Sequence, residues 1–201
     1  IAIIGSGVTG VTTAYQLFKK GYNVTVFEKE RYPGMDTSFA NGGQLSASNA
    51  EVWTSMKTVL EGLSWMFKKD SPLLFNPKPS LQKLGWIIEF LSNIPNHKKN
   101  TIITAQMAIK SRKELNRIID EENLKIDLAK KGILHLSNSK ETFQHGLKIN
   151  NWLNEAGLKR YPLSLKEIKE IEPTVNLKKI YAGFFTKSDM TGDIHLFTKQ
   201  L

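Results

Sequence analysis

The sequence predicts an α/β fold that opens on a parallel βαβ unit, passes through an inserted helical layer and enters a second, α+β unit. Three observations predict it. Ile1-Ala2-Ile3-Ile4 is an apolar run of the kind a buried parallel strand shows, and Gly5-Ser6-Gly7-Val8-Thr9-Gly10 follows it at once. Val11 to Lys20 then repeats apolar residues at helical spacing, with Val11, Ala14, Leu17 and Phe18 on one face and Gly21 to stop it. Tyr22-Asn23-Val24-Thr25-Val26-Phe27 makes a second strand, and it ends on the carboxylate of Glu28.

Strand, glycine turn, helix, strand and terminal acid in that order make a Rossmann-like dinucleotide site. Gly5 permits the tight turn, Gly7 lets a pyrophosphate approach the backbone, and Gly10 lets the helix lie close to the strand. Free N–H groups at the helix start, from Val8 and Thr9, supply donors and positive potential. Glu28 suits two ribose hydroxyls and repels a 2′-phosphate, which disfavours NADP and leaves NAD and FAD open.

The next segment, Arg31 to Gln44, is a long loop with Met35 and Phe39 as apolar pins. Its length and composition point to function. Thr37, Ser38 and Asn41 offer polar side chains, and Gly42-Gly43 let the backbone approach a flat ligand. Helical spacing then predicts helices over Thr54–Lys69, from a cap at Ser80 through Leu91, and over Thr101–Asn123, with Pro72, Pro77, Pro79 and Pro95 as breaks. Gly132–Ser137 alternates like a strand and Lys140–Glu155 reads as a helix stopped by Gly157. Leu158–Tyr161 reads as a strand, Ser164–Ile171 as a helix with Glu167 at capping-box spacing, and Ile180–Thr186 as a strand. Met190 to Phe197 opens a last helix, for which Asp193 is the expected cap. The resulting division is 1–50 for the nucleotide-binding segment, 51–128 for the helical insertion, 129–188 for part of a substrate or cap domain, and 189–201 for a return toward the first segment. A first strand already under way at Ile1 and a last helix cut at Leu201 read as a fragment.

Composition narrows the function classes. The 201 residues are 40% hydrophobic and contain no cysteine, which excludes disulfides, thiolate metal sites and cysteine nucleophiles. The net charge of +9 is carried mostly by lysines at element ends and in loops, without the interleaved arginines and aromatics of a nucleic-acid reader. No nucleic-acid partner is expected. Solvated faces account for the lysines, with attraction to an anionic membrane as the sharper alternative. No apolar run reaches the length of a membrane span. His97, His135, His145 and His195 show no metal spacing and read as surface or capping residues, so no metal is expected. Trp53, Trp65 and Trp86 are expected in apolar helix faces. A membrane-touching edge at Trp65-Met66-Phe67-Lys68-Lys69 and Trp86 is the functional alternative.

The stretches Gly5 to Tyr15, Val24 to Glu28 and Thr37-Ser38-Phe39-Ala40-Asn41-Gly42-Gly43-Gln44 resemble the small-subunit family of bacterial D-amino acid dehydrogenase. That family belongs to the FAD-dependent D-amino acid oxidase and glycine oxidase superfamily. The resemblance continues through Trp65-Met66-Phe67, Leu84-Gly85-Trp86, Gly132 to Leu136 and Thr191 to Thr198, so it covers the whole chain. It implies hydride removal from the α-carbon of a D-amino acid onto the N5 atom of FAD, release of a 2-oxo acid and ammonia, and electron transfer to a quinone-type or respiratory-chain acceptor. It also implies a cytoplasmic protein, peripheral on the inner face of the plasma membrane where the acceptor lies. Carried over, Gly5, Gly7, Val8, Thr9 and Gly10 hold the pyrophosphate, and Glu28 takes the adenosine ribose with Lys29 beside it. Thr37, Ser38, Asn41, Gly42, Gly43 and Gln44 approach the pyrophosphate, ribityl chain and flavin ring. The family's substrate-gripping groups lie in a later half, so catalytic residues stay unassigned and the fragment alone is expected to be inactive. Around Asn49 the sequence departs from the proline- and glycine-containing stretch of its relatives. The alternatives are a glycine- or sarcosine-type amine oxidase that uses oxygen, and a non-catalytic nucleotide-binding remnant.

Overall fold

A computed structural model describes residues 1–65 and 78–201. Strand β1 (Ala2–Ile4) pairs in parallel with β2 (Thr25–Phe27), Ile3 opposite Val26, and helix α1 (Val8–Lys19) connects them. The amides of Gly21 and Tyr22 close the end of α1 onto Phe18 and Leu17 carbonyls at 2.8 and 3.1 Å, a Schellman-type stop. The second strand is shorter than its sequence pattern, because Tyr22 is consumed by that stop.

A two-residue strand, β3 (Gln44–Leu45), follows the long loop and runs into a 3₁₀ turn at Ala47–Asn49. Helices α2 (Met56–Trp65) and α3 (Leu81–Ser92) come next, the second capped by the Ser80 hydroxyl, which accepts from the Lys83 amide at 3.1 Å. Neither helix has a fully buried residue, and Trp86 on α3 is 60% exposed. Trp53 precedes α2 in a bend and is 81% exposed, so neither tryptophan packs in a core as their sequence pattern predicts. Apolar periodicity shows that a helix has a face to cover; it does not say what covers it. The expected membrane-edge residues Met66–Lys69, with Pro72 and Pro77, lie outside the described residues.

Helix α4 (His97–Glu121) is the spine of the molecule. It begins four residues before Thr101, because a 3₁₀ turn at Ile94–Asn96, with Pro95 in its first turn, leads straight into it. Ala105 joins Ala47, Ala50, Ile149, Leu153 and Leu158 in one core. Ile118 and Ile119 join Leu124, Ile126 and Phe197 in a second, against which Val8 and Tyr15 of α1 pack. One helix thus fastens both halves of the chain.

The remaining strands, β4 (Ile133–Ser137), β5 (Tyr161–Leu163) and β6 (Ala182–Thr186), form an antiparallel sheet in the order β4-β6-β5. Strand β5 starts three residues beyond the expected Leu158, and it holds Pro162 at a sheet edge, where a missing N–H is harmless. Helix α5 (Lys140–Glu155) is capped by Ser139, and α6 (Leu165–Ile171) by a full Ser164–Glu167 capping box. Strand β7 (Met190–Thr191) returns to pair with β3, Gln44 opposite Thr191. Helix α7 (Ile194–Gln200), capped by Asp193, then buries Phe197. Among the described residues no helix is long and apolar enough to cross a membrane.

Candidate functional site

A cleft of about 420 Å³ lies between the ends of β1 and β2 and the loop at Met35–Ser38. Gly5, Gly7, Glu28, Lys29, Thr37 and Ser38 line it. Val8, Thr9 and Gly10 form the first turn of α1 behind it. A Cβ on Gly10 would stand 2.0 Å from the Gly5 carbonyl oxygen, so only glycine lets the helix start this close to the strand. The Val8 amide, an orphan donor at the helix start, donates to the Ser38 hydroxyl at 2.9 Å.

Glu28 is more occupied than the sequence pattern implies. One carboxylate oxygen accepts from the Ser6 amide at 2.7 Å and the Ser6 hydroxyl at 2.6 Å; the other accepts from the amides of Lys29 and Glu30 at 2.7 and 2.9 Å. Four donors fill a carboxylate's usual capacity. The Ser6 hydroxyl first, then the backbone amides, hold the Glu28 pKa down from 4.5 to about 2. Its contribution to stability is therefore fully present above 4.5 and lost as pH falls toward 2. Glu28→Gln is expected to flatten the acid limb of the stability–pH curve in that window, as followed by urea midpoints; a limb identical to that of the parent would rule the assignment out. Lys29 reaches over the rim, its Nζ 3.5 Å from Glu30.

The loop residues expected on the flavin side lie elsewhere. Asn41, Gly42 and Gly43 line a second cleft of about 370 Å³ with Phe39, Asp127 and Thr191–Ile194. Asn41 shapes the turn, its amide donating to the Ser38 carbonyl at 2.9 Å and its side-chain oxygen accepting from the Gly43 amide at 2.8 Å. Gly43 has φ +58°, and a Cβ there would meet the Gly192 carbonyl at 2.7 Å, so glycine is required on both counts. Gln44 sits in β3, where its side-chain oxygen accepts from Asn49 at 3.0 Å. The candidate residues thus divide between two clefts joined by the Ser38–Asn41 turn.

Asp189, to which the sequence pattern assigns no role, is fully buried. It accepts from the hydroxyls of Ser46 and Ser48 at 2.8 and 2.5 Å, from the amides of Ala47 and Ser48 at 3.2 Å each, and from Arg112. The Ser48 hydroxyl gives its one proton to Asp189 and so accepts from His135 Nε2 at 2.7 Å. Burial, with the nearby Arg160 charge, pushes the His135 pKa down, against an opposing pull from Asp189. His97 and His145 likewise converge on one carboxylate, Glu51, at 3.2 and 2.9 Å. Asp193 acts locally, as the cap that accepts from the Leu196 amide at 2.8 Å, whereas His195 reaches 161 positions back and its Nδ1 donates to the Gly34 carbonyl at 3.0 Å. Among the described residues no cluster of three or more His, Asp or Glu is arranged for a metal ion. No signal in the sequence marks these partnerships, because the partners lie far apart in the chain.

Comparison with known proteins places the chain in a family. The chain is 52% identical over 197 residues to D-amino acid dehydrogenase 3 of Mesorhizobium japonicum, covering 98% of this chain and 48% of that protein. It is 33% identical over 202 residues to D-amino acid dehydrogenase of Dechloromonas aromatica, with the same coverage. The chain therefore spans about half the length of the curated relatives it matches. Glycine oxidase from Geobacillus kaustophilus shares the fold at a TM-score of 0.65 and 19% identity, over 99% of this chain and 42% of that one. The model of the family described as FAD dependent oxidoreductase matches residues 1–201, and the chain belongs to that family.

Proposed function

We propose that the protein to which this chain belongs is an FAD-dependent D-amino acid dehydrogenase. The observation that carries this reading is identity along nearly the whole chain with proteins of that name. The cleft supports it with a close helix start at Gly10 and a carboxylate on the opposite wall. When bound, FAD supplies a hydride acceptor for the α-carbon of the amino acid; the imino acid left behind hydrolyses to a 2-oxo acid and ammonia. This chain's residues bind and orient. Gly5, Gly7, the Thr9 amide and the Val8 amide, released from the Ser38 hydroxyl, take the pyrophosphate, with Gly10 holding the helix in place. Glu28 exchanges its Ser6 contact for a ribose hydroxyl, with Lys29 at the rim. Thr37, Ser38, Asn41, Gly42, Gly43 and Gln44 follow the cofactor toward its ring. In this reading 1–50 is the cofactor segment, 51–128 the helical insertion, 129–188 part of the substrate domain and 189–201 the return.

The electrons leave for a quinone-type acceptor, and the protein sits at the inner membrane surface. The exposed apolar residues of α3, with the Trp86 and Phe90 rings tilted against each other at 5.3 Å, support that contact. Flotation of the full-length protein with anionic vesicles tests it, and flotation unaffected by Trp86→Glu would remove α3 from the contact.

Full-length protein purified under air is expected to be yellow and to bleach anaerobically with D-alanine but not L-alanine. A ubiquinone analogue should restore the colour faster than oxygen does. Restoration by oxygen alone would make it an oxidase, and yellow protein inert to every D-amino acid would make it a binding remnant.

A further inference from the structure

The chain leaves for α2 after Thr54 and comes back through α3 to His97, the first residue of α4. The His97 ring reaches back to the point of departure. Its Nδ1 lies 3.0 Å from the Thr54 carbonyl oxygen and its Nε2 lies 3.2 Å from a Glu51 carboxylate oxygen, across 43 and 46 positions of chain. His145 Nε2 lies 2.9 and 3.1 Å from the two Glu51 oxygens, which makes Glu51 an acceptor on both and so ionised. A carbonyl and an ionised carboxylate can only accept. An imidazole that satisfies both must donate from both nitrogens, so in this arrangement His97 carries two ring protons and a positive charge. A neutral ring would turn a lone pair toward one of the two oxygens. His145 needs only the single proton of its neutral form.

Packing fixes the ring in this place. The His97 side chain is 15% exposed and meets Trp152 of α5 edge to face at 5.4 Å. The other charges around it are engaged or distant. On α4, Lys98 pairs with Glu155 of α5 at 2.8 Å, and Lys99 is exposed. On α5, Lys148 lies over the Trp152 ring at 5.2 Å. Arg160 adds a positive charge that Glu51 feels through space. A further tie, the Val52 amide donating to the Thr101 hydroxyl at 3.4 Å, involves no titrating group. Neither α2 nor α3 has a fully buried residue, so contacts at this neck weigh heavily in where the two helices sit.

We propose that His97 is a proton-operated clasp on this helical excursion. With a proton on each ring nitrogen it ties the departing chain, at Glu51 and Thr54, to the start of α4. Loss of one proton as pH rises through the imidazole range, about 5 to 8, leaves only one of the two contacts. Helices α2 and α3 then move about a neck held by Val52 and His145. The clasp needs neither the dehydrogenase reading nor the membrane contact, so it stands or falls apart from both. The test is backbone hydrogen exchange of the full-length protein at about pH 5.5 and about pH 8.5, corrected for the intrinsic rate at each pH. Protection of amides in residues 52–59 is expected to fall by at least about tenfold between the two, the loss of one hydrogen bond to a charged group. That dependence should vanish in His97→Gln and in Glu51→Gln, persist in His145→Gln, and leave the amides of α5 untouched. At the lower pH, nitrogen NMR of labelled histidine should show one ring, absent from His97→Gln, that is protonated at both nitrogens. A single proton on that ring, equal protection of 52–59 at both pH values, or a loss shared by α5 would overturn the clasp. So would a dependence that follows His145 instead of His97. Parent-like circular dichroism certifies each variant; if His97→Gln fails that check, Glu51→Gln and the parent's own pH dependence decide.

Discussion

Asp189→Ala is expected to destabilise the protein by about 3–5 kcal/mol, the cost of breaking a buried charge pair by removing one partner. The side chain of Arg112 is only 12% exposed and would be left as an uncompensated charge. The hydroxyls of Ser46 and Ser48 and the buried amides of Ala47 and Ser48 would lose their acceptor together. Because whole domains are stable by only about 5–15 kcal/mol, such a loss is a large fraction of the total. Urea unfolding of the full-length protein measures it. Asp189→Asn preserves the shape but turns an NH₂ toward donors, so it should fall between alanine and the parent. An alanine variant with the parent's midpoint would show that the network carries no stability.

Gly10→Val is expected to give protein that purifies without flavin. The added Cβ would overlap the Gly5 carbonyl at 2.0 Å, and backbone on both sides leaves no flexible atom to yield. The first turn of α1 must then swing away from β1, carrying off the amides proposed for the pyrophosphate. A loss of about 3 kcal/mol, the upper range for overpacking, corresponds to more than a hundredfold in FAD affinity. The ratio of flavin to protein absorbance and a fluorescence titration with FAD measure the effect. Gly62→Ala serves as the control, since a Cβ at that point of α2 meets nothing within 4 Å. Equal flavin content in Gly10→Val and Gly62→Ala would break the assignment of the cleft.

What the sequence made legible was local. The βαβ unit, the Ser80 and Asp193 caps and the Ser164–Glu167 box each involve residues a few positions apart, and their chemistry shows in the order of residue types. Strand and helix ends slipped where a local signal competed, as at Tyr22, taken by the stop of α1, and at His97, reached through the Pro95 turn. The hidden features are those whose partners are distant. Ser48 and Asp189 are 141 positions apart, and Glu51 and His145 are 94 apart, so neither pair has a spacing to recognise. The glycine pattern of the cleft was readable, but not that Glu28 spends all four acceptor positions on its own chain. That depended on Ser6 being a serine, which reads as filler between two glycines.

The pairing of β3 with β7 bears on the order in which this chain is made. Synthesis delivers the amino end first, at a few to some twenty residues per second. Gln44 and Leu45 leave the ribosome early, yet the strand they pair with is Met190–Thr191, and the acceptor for Ser46 is 143 positions downstream. For many seconds the loop proposed to face the flavin has no template to close on. The helix start and Glu28 have their partners once Glu30 is made, while the far end of the proposed cofactor path waits for Met190 and Thr191. A nascent chain paused before Thr191 has the cleft beside Gly5 and Glu28 but lacks the partner strand of β3.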